Sequence, residues 1–171
     1  GLINLENITE ADRLLYEENT LGLNYGGNAA IHYQRIRFYT VKMMLFKDAA
    51  QQEDCVANIR DNAAKVEEFL RLYEGGIISD TDRDLFNTMK TQWEKYITYI
   101  ENIIELVHSG ETEQAMDMVF GVAASAGETL QSTFEEIFRY NSSEGEARSK
   151  RNTELASSAT FIMVVVIIAG I

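Results

Sequence analysis

Apolar residues recur along most of this chain at alternating intervals of three and four positions, the spacing of an amphipathic helix. The pattern predicts four helical regions, over about residues 2–50, 53–73, 80–109 and from 112 onward, with glycines after the second and third. Most connections are short, which favours antiparallel neighbours. The predicted fold class is therefore all-α, an antiparallel up-down-up-down four-helix bundle whose last helix continues into a transmembrane helix.

The end of the chain is the most apolar part of the sequence. Residues 155–171 carry no charge, and every residue from Phe161 onward is apolar. A bilayer core takes about 20 such residues to cross. The alternative, a buried C-terminal helix, would show a polar face, and residues 161–171 have none. We therefore expect residues 155–171 to start a second transmembrane helix and residues 1–154 to form one domain outside the membrane.

The first predicted helix carries two apolar stripes on different faces. One stripe includes Ala29, Ile36 and Met43 and is expected to pack in the bundle core. The second, called here the outer stripe, consists of Ile31, Gln34, Phe38, Val41 and Leu45. A helix in a monomeric bundle needs a single apolar stripe, so the outer stripe predicts a homodimer interface formed with the same helix of a second copy. A broad core face is the alternative.

Three glycines, Gly22, Gly26 and Gly27, interrupt the first predicted helix. An interior glycine costs a helix roughly 1 kcal/mol relative to alanine. These positions are therefore either a weak point in the helix or a place where another part of the chain comes close.

Composition excludes several classes of function. The chain has 27 acidic and 15 basic residues and a net charge of −12, which disfavours nucleic-acid binding. It contains no Gly-x-Ser-x-Gly and no phosphate-binding loop. Glu105 and His108 form one Glu-x-x-His, whereas a di-iron bundle needs two, and no haem attachment motif is present. We predict that the chain is not an enzyme and holds no metal or cofactor.

Several segments, taken in order, resemble the four-helix-bundle ligand-binding domain of bacterial methyl-accepting chemotaxis proteins. They are GLINLENITEADRLLYEENTLGL, QRIRFYTVKMML, FNTMKTQWEKYITYIENIIELVHSGETEQAM and FEEIFRYNSSEGEA. The run FGVAASAG at residues 120–127 departs from the family pattern and affects the register of the fourth helix. The resemblance covers the whole chain.

The resemblance implies that residues 1–154 are an extracytoplasmic sensor domain, periplasmic or extracellular, held at the cell membrane. Such a domain works as a homodimer, binds a small organic anion such as a carboxylate or an amino acid, and passes a displacement of its fourth helix to downstream signalling proteins. Two alternatives stay open. The same domain could serve a sensor histidine kinase or a cyclase, or the chain could be a membrane-anchored structural or partner-binding bundle without a small ligand.

In the family, arginines of the first helix face hydroxyl and backbone groups of the fourth helix near the dimer interface. The matching arginines are Arg35 and then Arg37, both beside the outer stripe; a guanidinium donates two parallel hydrogen bonds to a carboxylate. Both could instead pair with acidic neighbours at the surface. At a rise of about 1.5 Å per residue, residues 120–129 lie level with Arg35. The predicted ligand-binding residues are Arg35, Arg37, Tyr33, Tyr39, Ser125 and Thr129. His32 lies on the core stripe and is predicted to be packing.

Overall fold

The computed structural model describes the backbone of residues 2–169 and the side chains of residues 7–16 and 19–161. Its elements in chain order are α1 (Leu2–Leu14), a π-helical segment (Leu15–Thr20), α2 (Leu21–Leu45), α3 (Ala49–Gly75), α4 (Asp80–His108), α5 (Thr112–Phe120) and α6 (Val122–Ala169). They make four rods: α1 with the π-helical segment and α2, then α3, then α4, then α5 with α6. The predicted all-α four-helix bundle is confirmed.

Two cross-helix hydrogen bonds show that the first and fourth rods are antiparallel. Tyr33 of α2 bonds to Gly127 of α6, while Asn19, earlier in the first rod, bonds to Asn141, later in the fourth. Positions earlier in the first rod therefore pair with positions later in α6. This places the start of the chain beside the far end of α6.

The bundle core is filled by large aliphatic and aromatic side chains. Among the most buried are Tyr33, Ile36, Phe86, Ile100, Leu130 and Ile137. His32 is also buried, with its Nδ1 2.7 Å from Oδ1 of Asn62 and its ring stacked on Phe69. The predicted packing role of His32 is thus confirmed, because its polar atom is satisfied inside the protein.

Short polar caps set where α3 and α4 begin. The side chain of Asp48 accepts a hydrogen bond from the Gln51 amide at 3.0 Å, so α3 starts at Ala49, before the predicted start at residue 53. The first rod correspondingly ends at Leu45 instead of residue 50. Ser79 caps α4 by accepting from the Asp82 amide at 3.1 Å. The carboxylate of Asp82 turns instead to Tyr73, so the predicted capping box is half formed.

The irregular part of the first rod is the π-helical segment, and the three glycines lie inside the regular helix α2. Of the two alternatives for these glycines, a weak point in the helix is therefore not what the structure shows. At Gly22 an added Cβ would lie 2.9 Å from Oδ1 of Asn141, so this glycine permits a close approach of α6. At Gly27 an added Cβ would meet nothing within 4 Å. The glycines thus differ in their surroundings although they look alike in sequence.

The fourth rod is broken at Gly121, which corrects the prediction of one continuous helix from residue 112. Gly121 has φ −101° and ψ −104°, and its N–H donates to the carbonyl oxygen of Asp117. A Cβ at Gly121 would lie 2.7 Å from that backbone oxygen, closer than contact distance. Beyond the break, α6 is one helix of 48 residues, which confirms the predicted continuous rod through residue 153.

Within the described residues, none of the helices has a stretch both long and apolar enough to cross a membrane. The side chains of residues 162–171, which make up most of the predicted transmembrane segment, lie outside the described part of the chain.

Candidate functional site

Arg37 is the basic side chain that α2 presents to α6. Its Nη1 donates to Oε1 of Gln131 at 3.1 Å and to Oε1 of Gln34 at 3.4 Å. Its guanidinium carbon lies 5.8 Å from the centre of the Tyr33 ring, within the range of a cation–π contact. Both hydrogen-bond acceptors are neutral amides, and no carboxylate among the described side chains pairs with Arg37. A half-buried cation with neutral partners can still bind an anion.

Tyr33 forms the floor beneath Arg37 and fastens α2 to α6. It is fully buried, and its hydroxyl donates to the carbonyl oxygen of Gly127 at 2.6 Å. Burial raises the pKa of Tyr33, and the nearby Arg37 guanidinium offsets part of this rise, so the hydroxyl stays a neutral donor. An added Cβ at Gly127 would lie 2.9 Å from this hydroxyl oxygen. Glycine therefore allows the two helices to approach at this level.

Arg35 lies on another face of α2 from Arg37. It is exposed and lines an open depression with Asn58, Asp61 and Asn62 of α3. Two positions along an α-helix differ by about 200°, so within one protomer the two arginines face different neighbours. The structure thus brings Arg37, and not Arg35, to α6.

Tyr39 lies on the same side of α2 as Arg35. It is half-buried, lines the same open depression and packs edge-to-face against Phe38, with ring centres 5.2 Å apart. Lys42 lies over its ring at 5.6 Å. Tyr39 is therefore separated from the Arg37 site by the width of the helix.

Ser125 and Thr129 are exposed on α6, and among the described side chains neither forms a hydrogen bond with Arg37. The hydroxyl of Thr129 donates to the backbone carbonyl of Ser125 at 3.0 Å, so it is already engaged within the helix.

The residue count selected the run 120–129 as level with Arg35, and Arg37 lines a shallow depression with Phe120, Ala123 and Ala124 of that run. Its hydrogen-bond acceptor on α6 is Gln131, two positions beyond the run. Gln131 follows Gly127 by four positions, and this spacing places both residues on one face of the helix. That spacing is the sequence signal that could have identified Gln131.

The outer stripe of α2 is open to solvent in the single chain. Its apolar members are exposed by 53% at Ile31, 61% at Phe38, 41% at Val41 and 77% at Leu45, and Gln34 is exposed too. The stripe is therefore not part of a broad core face. Contiguous exposed apolar side chains of this kind mark an interaction surface.

A groove of about 480 Å³ lies between α2 and α6, on the side of Arg37 nearer the start of the chain. Gly26, Gly27 and Ala30 leave space on the α2 side, and Phe134 and Phe138 line the α6 side. Gln34 and Gln131, the two amides that hold Arg37, also line it. The groove is thus mainly apolar. At one end it is lined by the two side-chain amides that accept hydrogen bonds from Arg37.

A second polar cluster links the rods near the turn between α3 and α4. Tyr73 donates to Oδ1 of Asp82 at 2.6 Å and accepts from Nδ2 of Asn141, whose backbone oxygen accepts from Asn19. Burial raises the pKa of Asp82, and the hydrogen bond from Tyr73 offsets part of that rise. This cluster ties the π-helical segment to α6, and it is separate from the Arg37 site.

Comparison with known proteins identifies the family to which this bundle belongs. Over residues 1–156 the chain matches the family described as the four helix bundle sensory module for signal transduction. It is 34% identical over 136 residues to a protein of Acetivibrio thermocellus that carries the name of a sensory transducer protein. The match covers 80% of this chain and 24% of that relative, so the chain spans about a quarter of the relative's length. The chain belongs to the four-helix-bundle sensory modules of the methyl-accepting chemotaxis protein type.

Proposed function

We propose that this chain is the extracytoplasmic ligand-sensing domain of a transmembrane chemoreceptor, and that it binds a small organic anion without catalysing a reaction. The observation that carries the proposal is Arg37, a half-buried cation whose acceptors are the neutral amides of Gln34 and Gln131. A carboxylate would replace these amides with charge-assisted hydrogen bonds, which are about twice as strong as neutral ones.

The outer stripe supports the proposed homodimer. Arg35 and Arg37 lie on its two sides, and its apolar side chains are exposed in the single chain. A two-fold contact through the stripe would bring both arginines of each protomer to the edge of the interface. In this proposal, Arg35 and Tyr39 take part in ligand binding from the partner's side of the site.

Signalling in this proposal depends on the continuity of α6. From Gln131 to Ala169 the helix is unbroken over 39 residues, which spans about 57 Å at a rise of 1.5 Å per residue. An anion bound between Arg37 and α6 would favour one placement of α6 relative to α2, because only that placement completes its hydrogen bonds. A continuous rod carries such a displacement toward its end, where downstream signalling proteins would respond.

The test is thermal unfolding of the chain with a panel of carboxylates, amino acids and aromatic acids. A ligand at 100 times its Kd adds about 2.7 kcal/mol to the free energy of unfolding. For a chain of 171 residues this raises Tm by about 5–11 °C. We expect at least one anion to produce this shift and Arg37→Ala to abolish it.

Arg71→Ala is the matched control, because Arg71 is an exposed arginine on α3 away from α2 and α6. It should leave the ligand-induced shift unchanged. A shift that survives Arg37→Ala would place the anion elsewhere. If no anion shifts Tm, the alternative of a structural or partner-binding bundle is favoured instead.

A further inference from the structure

The polar cluster near the turn between α3 and α4 contains a buried acceptor that lacks a donor. Asn19 of the π-helical segment keeps only 4% of its surface exposed, and its Oδ1 has no hydrogen-bond partner among the described residues. Its Nδ2 donates to the backbone oxygen of Asn141 at 3.1 Å, so turning the amide over would set Oδ1 against another acceptor. A buried acceptor without a donor destabilises the fold, so Oδ1 needs a donor from elsewhere.

Asp82 of α4 supplies a second acceptor in the same place. It keeps 8% of its surface exposed, and its Oδ1 accepts from the hydroxyl of Tyr73 at 2.6 Å. Burial raises the pKa of Tyr73, so this hydroxyl stays a donor. Within the described part of the chain Oδ2 of Asp82 has no hydrogen bond. A proton taken up by Asp82 would therefore lie on Oδ2, where it turns an acceptor into a donor.

Asn19 and Asp82 line one small cavity between the π-helical segment, α4 and α6. Its volume of about 10 Å³ is near the lower limit for holding one water. The helices are close here, because an added Cβ at Gly145 of α6 would lie 3.3 Å from the Cβ of Asn19. Two acceptors that share so small a space oppose each other unless a hydrogen lies between them.

Burial outweighs the charged groups around Asp82. The titratable and charged groups that face it are Tyr73 of α3, Arg83 of α4, and Tyr140, Glu144 and Arg148 of α6. Arg83 favours the ionised form, but its guanidinium is paired with Glu74 at 3.2 Å. Glu144 and Arg148 have opposite charges one turn apart, so their effects on Asp82 largely cancel. Burial raises the pKa of Asp82, and the Tyr73 hydrogen bond and the charge of Arg83 offset part of that rise.

We propose that Asn19 and Asp82 form a proton-operated latch, which fastens the π-helical segment to the rest of the bundle. In the closed latch Asp82 is protonated on Oδ2 and donates across the cavity toward Oδ1 of Asn19. One proton then removes both unpaired acceptors. When the proton leaves, a carboxylate oxygen and an amide oxygen face each other, and the π-helical segment is released from α4. The latch is independent of the proposed anion site at Arg37.

The position of the latch gives it a consequence for the rods. π-Helical turns are rare and are frequent at functional sites, and this one lies between α1 and α2. Beyond it α1 runs beside the later part of α6, where Nδ2 of Asn152 donates to Oδ1 of Asp12 at 2.8 Å. The latch thus sets how firmly this pair of helices joins the bundle, and it makes that hold depend on the surrounding acidity.

The experiment is amide hydrogen exchange of the 171-residue chain from about pH 4 to about pH 8, read as protection factors at residues 15–20. The closed latch holds the Asp82 proton more tightly than the open one does. Closing is therefore favoured at low pH and weakens as pH rises above the ordinary carboxyl value of 3.8. The protection factors should fall by at least about threefold in total, and by at most about tenfold per pH unit.

Asp82→Asn tests the proton, because the amide keeps an acceptor for Tyr73 and a donor toward Asn19 but does not titrate. Its protection factors should match those of the wild type at about pH 4 and stay within about twofold of that value to about pH 8. Asp80→Asn is the matched control, because Asp80 is an exposed carboxylate in the same first turn of α4. It should keep the pH dependence of the wild type. Asn19→Ala should lower the protection at about pH 4 by at least about threefold and abolish its fall with pH.

Three results would overturn the latch. One is wild-type protection at residues 15–20 that does not change with pH, because the two acceptors would then share another donor, such as a water. The second is a fall with pH that persists in Asp82→Asn, since another group would then be titrating. The third is a wild-type pH dependence in Asn19→Ala, because the proton would then act without Asn19.

Discussion

Gly22 and Gly27 provide a matched test of how closely α2 and α6 pack, because both lie inside α2 and differ in what surrounds them. Alanine at an interior helical glycine is worth roughly 1 kcal/mol through helix propensity. At Gly27 nothing opposes this gain, since an added Cβ meets nothing within 4 Å. Gly27→Ala should therefore raise the free energy of unfolding by about 1 kcal/mol and Tm by about 2–4 °C.

At Gly22 the same methyl group would lie 2.9 Å from Oδ1 of Asn141. That amide cannot simply move away, because its Nδ2 donates to Tyr73 and to the carbonyl oxygen of Ile137. Overpacking and weakened hydrogen bonds cost about 1–3 kcal/mol. After subtraction of the propensity gain, Gly22→Ala should lower the free energy of unfolding by up to about 2 kcal/mol.

The assay is chemical denaturation of both variants, followed by circular dichroism. A double-mutant cycle with Asn141→Ala isolates the contact, because without that amide Gly22→Ala should become neutral or stabilising. If Gly22→Ala is as stable as Gly27→Ala, the close approach of α6 at this level is wrong. The predicted difference in stability between Gly22→Ala and Gly27→Ala would then have no structural explanation.

Two further predictions concern the interface and the polar cluster. Phe38→Glu should abolish dimerisation in sedimentation equilibrium because it places a charge in the outer stripe, while Ile78→Glu, equally exposed but in the turn between α3 and α4, should not. Equal effects would contradict the proposed interface. The raised pKa of Asp82 means that its ionisation costs stability as pH rises above the ordinary carboxyl value of 3.8. Asp82→Asn, which keeps an acceptor for Tyr73, should therefore be more stable than wild type at pH 7, and the difference should vanish below about pH 4; a pH-independent difference would contradict this.

Much of the fold followed from local pattern. The three-four spacing predicted four rods, the core stripe through Ala29, Ile36 and Met43, and the packing role of His32, all of which the structure confirms. The exposure of the outer stripe also agrees with its being separate from the core. These features follow from the sequence because a helix repeats every 3.6 residues wherever its apolar face is buried.

The level of the first rod against the fourth followed from the sequence, but the hydrogen-bond partners across that contact did not. The π-helical segment at Leu15–Thr20 and the break at Gly121 both change the count of residues along a rod. Counting from the chain ends selected residues 120–129 as level with Arg35, and Tyr33 does bond to Gly127 within that run. The hydrogen bond from Arg37 goes to Gln131, two positions beyond it.

The break at Gly121 falls within the run 120–127 that the sequence marks as a departure from the family pattern. The π-helical segment has no such signal, because it depends on what lies across the interface.

The sequence by itself determined that this chain is a four-helix bundle with an exposed second stripe, because helix periodicity and apolar burial are local properties of consecutive residues. Its sensory role came from the resemblance of several segments to a known family. The tertiary structure decided which arginine faces α6, which amide accepts its hydrogen bond, and that the glycines beside them leave a groove. Those relations join residues about a hundred positions apart. They depend on how far one rod slides along another, and that distance is set by the packing of the whole interface rather than by any one segment.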